Sequence, residues 1–268
     1  MEIGEYLKMA SNPKFIPGIY NYCDRWCERC PLASRCFNFA SSKKFFVTQE
    51  SKDIQNEKFW NQLHKVFEFT SELIHRSALE MGIDLDNIEE DEEIQKLIQE
   101  DEDKHKWARK HPVSKTGKTY YKKVDKWFEN SKLIFEQKGI ELESYLEMEI
   151  PGFDIENELY KLKDAVEIIR WYQDFIHVKT IRAMSSYGDY DEASIQDGNG
   201  SAKIALIAID RSIEAWAILL KVFTEQEDKI LDVMIHLEKI KKHLQFFFPD
   251  ARNFIRPGFD DNEKLKND

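Results

Sequence analysis

"IENELYKLKDAVEIIRWYQDFIHVKTIRAM", residues 155–184, decides the fold. Leu159, Leu162, Val166, Ile168, Ile169, Trp171, Tyr172, Phe175 and Ile176 recur at three- and four-residue spacing and cover much of a helix circumference. No Gly or Pro interrupts the run. A helix apolar on so many sides belongs at the centre of a bundle. The next apolar run, "KIALIAIDRSIEAWAILLKVF" (203–223), has the same character and predicts a helix over 202–224. A third helix is expected over 227–247, closed by Pro249.

Upstream, Phe59, Leu63, Val66, Phe67, Thr70, Ile74, Ala78 and Met81 form one stripe, which predicts a helix over 49–81 ended by Gly82. Another is expected over 120–137, ended by Gly139, before "IPGFD" (150–154) breaks the chain. Few segments alternate with period two. The fold class expected is all-α: a multi-helix bundle with an N-terminal four-cysteine metal-binding segment. The expected organisation is a cysteine segment over 1–45 packed on the bundle, a bundle over 46–250, and a tail over 251–268 that frays after Pro257.

The chain has 268 residues, 42% of them hydrophobic, enough for a substantial core. Its 10 Gly and 7 Pro argue against a loop-rich β sandwich. The net charge of -11 repels nucleic acid and anionic membranes. No apolar run reaches membrane-spanning length, and the first residues do not read as a signal peptide, so a cytoplasmic protein is expected. An acidic block over 84–103 is followed by "KHKWARKHPVSKTGKTYYKK" (104–123), which has no carboxylate. Together they read as a charged hairpin or insertion over 84–123. Trp107, Tyr120 and Tyr121 lie among the lysines, so nucleic-acid contact, if any, is expected through 104–123.

All four cysteines stand within "CDRWCERCPLASRC" (23–36): Cys23, Cys27, Cys30 and Cys36. In a reducing compartment such a cluster reads as a metal site rather than as disulfides. If 23–30 is helical, Cys23, Cys27 and Cys30 share a face, and Pro31 lets Cys36 fold back. Three cysteines in eight residues plus a nearby fourth favour a [4Fe–4S] cluster, with Zn²⁺ the alternative, since both accept sets of four thiolates. Arg25, Arg29 and Arg35 would favour the thiolate form. The C-x3-C-x2-C portion resembles the cluster motif of radical S-adenosylmethionine enzymes. Those enzymes carry an aromatic where Arg29 stands, leave open the iron position that Cys36 would fill, and need alternating strands and helices. The helical reading sets that family aside.

Polar residues on the two central helices form stripes. Glu167, Arg170, Asp174 and His177 lie on one side of the first, and Asp210 and Glu214 on the second. Three readings are open. The stripes form an ion-pair network. Alternatively, Asp174-x-x-His177 and Glu72-x-x-His75 resemble the carboxylate–His pairs of ferritin-like dimetal proteins, which implies an oxidoreductase supplied by the four-cysteine cluster. Last, Arg170-x6-His177 resembles the signature of HEPN-like helical ribonucleases, which implies Arg170 stabilising a phosphorane and His177 in acid–base catalysis. The segment 185–201 is expected to be a polar loop, ending in "QDGNGS" with Ser201 as helix cap. The function expected is that of a metal-binding helical protein with a structural or redox four-cysteine centre.

Overall fold

A computed structural model describes residues 3–85, 92–147 and 154–260, and all regular structure among them is helical. The helices are α1 (Ile3–Ala10), α2 (Phe37–Phe45), α3 (Glu57–Glu80), α4 (Glu92–Lys110), α5 (Pro112–Asn130), α6 (Lys132–Glu147), α7 (Ile155–Ser185), α8 (Glu192–Val222) and α9 (Glu227–Phe247). The chain divides into two compact units. A cysteine unit comprises 1–102 with 255–268, and a bundle unit comprises 103–254; the division falls within α4.

In the bundle unit α7 lies along α8, α8 against α9, α9 against α5, and α5 against α7, so four helices close a ring around one core. Ile169, Ile176, Ile204, Leu206, Ile209, Trp216, Leu219, Ile230, Leu237 and Leu244 are fully buried there. Trp127 meets Trp216 edge-on at 4.9 Å, and Phe135 meets Phe223 at 4.7 Å. Acidic caps start the long helices: Asp154 accepts from the Asn157 N–H and Asp191 from the Ser194 N–H.

The expected all-α class holds, but several boundaries move. α8 begins at Glu192, ten residues before the expected start, so "QDGNGS" is helix and Asp191, not Ser201, is the cap. The reason is packing. Gly198, Gly200 and Ser201 are buried, and a Cβ on Gly198 would sit 3.1 Å from Phe248 Cε1. Close approach by small residues outweighs the helix propensity lost at glycine, about 1 kcal/mol each. α3 starts at Glu57, because Asn56 caps it by accepting from the Lys58 N–H.

Helix 120–137 is in fact two. α5 ends at Asn130, α6 starts at Lys132, and Gly139 lies inside α6. The second half of the block expected as a charged hairpin supplies α5. Val113, Gly117, Tyr120, Val124, Trp127 and Phe128 are buried at helical spacing between the lysines. Tyr120 is wholly buried and its hydroxyl accepts from Trp216 Nε1 at 3.4 Å, so it offers no face to a base. The segment 150–153 lies outside the described residues, as do 86–91 and 261–268.

In the cysteine unit, α1, α2 and α3 meet through aromatic edges. Tyr6 lies 5.0 Å from Phe37 and 5.2 Å from Phe69, and Phe45 lies 5.4 Å from Phe69. Among the described residues, Ile19 and Ala78 are the sole apolar side chains of this unit that are fully buried.

Candidate metal centre

Residues 23–36 contain no α-helix. The chain reverses at Arg25, a non-glycine residue held at φ 58°, beside Asp24, which accepts from the Trp26 N–H at 3.2 Å. Two single 3₁₀ turns follow, Cys27–Arg29 and Ala33–Arg35. The hydrogen bonds Cys30 N–H to Cys27 O, Ala33 N–H to Cys30 O and Cys36 N–H to Ala33 O step along the chain in threes. These bonds close single turns only: Cys30 and Cys36 are themselves extended, so the turns bring the thiols to one cavity without stacking them along a continuous helix. The expected α-helical face through Cys23, Cys27 and Cys30 does not form, because Arg25 at positive φ interrupts any helix over 23–30 and the proline after Cys30 holds that residue extended.

All four cysteines are free, half-buried, and line one cavity of about 20 Å³. Ile19, Phe39 and Phe259 contribute apolar wall. Cys23 Sγ donates to the Tyr20 carbonyl at 3.6 Å. Burial raises the thiols of Cys23, Cys27 and Cys30; Cys27 is pushed up to about 11 by burial and by the neighbouring thiols of Cys23 and Cys36. The Arg25 backbone N–H and charge pull Cys23 the other way, less strongly than burial. The Arg29 guanidinium stacks on Trp26 at 4.0 Å from the ring centroid. Among the described residues, no three His, Cys, Asp or Glu side chains stand already arranged around a point that an ion would occupy. Ligation therefore requires the protonated thiols to turn inward and lose their protons.

Residues 255–260 form part of this site. A Cβ on Gly258, held at φ +77°, would come within 2.8 Å of Ile16 Cδ1. Arg256 grips Asp260 with two side-chain hydrogen bonds of 3.0 and 2.9 Å and lies over Phe259. The expected frayed tail is thus ordered through Asp260. The pair Gly258-Phe259 beside Pro257 is the available signal, but nothing in the sequence ties it to cysteines more than two hundred residues away.

The polar stripes on α7 and α8 meet different partners. Arg170 donates to Asp125 at 3.0 Å and to Gln173, and stacks on Phe128 at 4.0 Å. Gln173, buried, donates to Asp125 and to the Tyr121 carbonyl, and the hydrogen bond from Gln173 leads the causes that lower the Asp125 carboxyl. Asp210 instead bridges Lys241 at 3.0 Å and Arg252 at 2.8 Å. Glu167, Asp174 and Glu214 are exposed. His177 packs on α5, where a Cβ at Gly117 would lie 3.1 Å from its Cα. Burial lowers its pKa, against the opposing pull of Asp174 and the Ser114 backbone. Its Nδ1 is buried without a hydrogen bond of good geometry. Glu72 and His75 are both exposed on α3.

Comparison with known protein families, with curated proteins and with solved structures finds no match for this chain. No helix among the described residues is long and apolar enough to cross a membrane.

Proposed function

We propose that Cys23, Cys27, Cys30 and Cys36 bind a metal that holds the cysteine unit folded, and that the protein is a metal-stabilised helical scaffold. The observation that carries this reading is the convergence of all four thiols of the chain on one cavity. A second observation supports a structural role: with Ile19 and Ala78 as its fully buried apolar side chains among the described residues, the cysteine unit has little core of its own. A unit with so little buried core gains most from a bound metal, because ligand binding energy then becomes folding energy.

A cavity of about 20 Å³ suits a single ion, since one water already needs about 10–15 Å³ on the same kind of measure. Zn²⁺ with four thiolates is therefore the first choice, in a closed tetrahedral site. The C-x3-C-x2-C spacing supports a second choice, a [4Fe–4S] cluster, which requires the walls to open further. Residues on α7 and α8 are read as an ion-pair and packing network, since Arg170 and Asp210 already have close partners of opposite charge.

Metal analysis and a visible spectrum of protein purified without oxygen test the reading. One zinc per chain and no colour support the first choice; brown protein with four irons supports the second. Metal-free protein whose four thiols all react rapidly with a thiol reagent in the folded state refutes both. Cys27→Ser is expected to raise proteolysis within residues 1–40 while leaving 103–254 resistant; equal resistance throughout counts against a structural metal.

A further inference from the structure

The cysteine unit carries a groove of about 670 Å³ between the end of α2, the turn at 48–51 and one face of α3. That size falls in the range of small-ligand sites. Lys58, Asn61, Gln62, Lys65 and Phe69 project from α3 at i, i+3, i+4, i+7 and i+11, and Lys44 faces them from α2. The lining contains three lysines, two amides and no carboxylate.

Its charge is unusual for this chain. Between Arg25 and Lys65 stand eight Lys or Arg against four Asp or Glu, in a protein of net charge -11. Lys44 is paired with Glu5 and Lys58 with Glu50, but those carboxylates lie outside the lining and are 54% and 53% exposed. Exposed pairs of this kind are weak and exchange readily for a better anion. Phe45 and Phe69, edge-on at 5.4 Å, supply an apolar floor. The hydroxyl of Ser51 is already engaged with Thr48, so it is not counted as a donor to a ligand.

We propose that this groove binds a nucleotide unit: the ammonium groups of Lys44, Lys58 and Lys65 hold its phosphate, the amides of Asn61 and Gln62 meet base edges, and the phenylalanine floor takes the base face. Amides carry both donors and acceptors, which suits base edges, and an aromatic floor beside cations is the pattern of single-strand binding. The phosphate belongs either to a free nucleotide or to a single strand. The proposal is independent of the metal, because none of these residues is a cysteine or lines the cysteine cavity.

The test uses the full chain. Adenosine monophosphate is titrated by calorimetry, and a short fluorescein-labelled single-stranded RNA by anisotropy. The double variant Lys58→Glu/Lys65→Glu changes exposed side chains, and Lys163→Glu on α7 serves as the control. Binding is expected to fall about tenfold per reversed charge in the double variant, and to be unchanged in the control. For RNA, the salt slope is expected to drop by about 0.7 for each lost phosphate contact. Comparable affinity for both ligands assigns a free nucleotide; much tighter RNA binding with a steep salt slope assigns a strand. Failure of both to bind at low salt, or binding indifferent to the double variant, overturns the proposal. Metal content, unaltered in the double variant, separates this outcome from failure of the metal-site reading.

Discussion

Gly117→Ala and Gly139→Ala should change stability in opposite directions. Both glycines are helical, on α5 and α6 of the bundle unit. On propensity alone each substitution stabilises, by about 0.8–1.0 kcal/mol. A Cβ at Gly139 meets nothing within 4 Å, so that gain is realised. At Gly117 the new methyl would lie 3.1 Å from His177 Cα, 3.2 Å from its Nδ1 and 3.4 Å from its Cβ. The ring could turn away, but the Cα is backbone of α7. Its neighbours Ile176 and Thr180 are wholly buried, so α7 has little room to withdraw. Overpacking of this kind costs about 1–3 kcal/mol. After subtracting the propensity gain, Gly117→Ala should destabilise by up to about 2 kcal/mol. Gly139→Ala should stabilise by somewhat under about 1 kcal/mol. Urea unfolding followed by circular dichroism gives both midpoints, with unchanged slopes showing that stability alone moved. A Gly117→Ala protein as stable as Gly139→Ala would refute the close α5–α7 crossing at His177.

Two further outcomes rest on named groups. Burial lowers the His177 pKa below its ordinary 6.5, so the folded chain keeps it neutral while the unfolded chain takes a proton. Its contribution is therefore complete above about pH 6.5 and is lost as pH falls through that value, with His111 adding in the same direction. His177→Gln should flatten the fall in urea midpoint between about pH 7 and 5; an unchanged slope would show that the imidazole does not titrate differently on folding. Phe259→Ala opens the apolar wall of the cysteine cavity and, with the proposed metal bound there, should speed its transfer to a chelator by about tenfold, the lower end of what outer-shell changes cost. Identical release kinetics would remove residues 255–260 from the site.

The bundle helices are legible because their burial is local and periodic. The span 155–184 matches α7 almost residue for residue, but its buried stripe is narrower than the sequence implies: Leu162, Ile169, Tyr172 and Ile176 lie in the core, whereas Leu159 and Trp171 are exposed. The start of α8 is not legible, because Gly198 and Gly200 carry the same sequence signal as a turn. Only the proximity of Phe248, fifty residues downstream of Gly198, makes small residues an advantage inside a helix there. The polar stripes are legible as stripes but not by partner. Arg170 turns to α5 and Asp210 to α9 and the turn at 251–253, and no spacing along α7 or α8 encodes which neighbour each one meets.

The cysteine segment shows the same limit in another form. The clustering of thiols is visible in the sequence, whereas the backbone that gathers them is not. An α-helix would align Cys23, Cys27 and Cys30 and leave Cys36 to return by a loop. The structure instead sets Cys27 in one 3₁₀ turn, leaves Cys30 and Cys36 extended at the ends of two separate turns, and places Cys23 just before Arg25, held at positive φ. Arg25 and Pro31 exclude the helix together: a residue at positive φ interrupts it at 25, and the residue before a proline, Cys30, is pushed to extended backbone. This geometry also bears on the proposed metal. Thiols from short turns can adjust independently, which suits tetrahedral ligation of one ion. A preformed α-helical face would fix three of them on a line along its axis. The choice of zinc over a cluster thus rests on two physical features, the small cavity and the short-turn backbone, against one sequence spacing that favours iron.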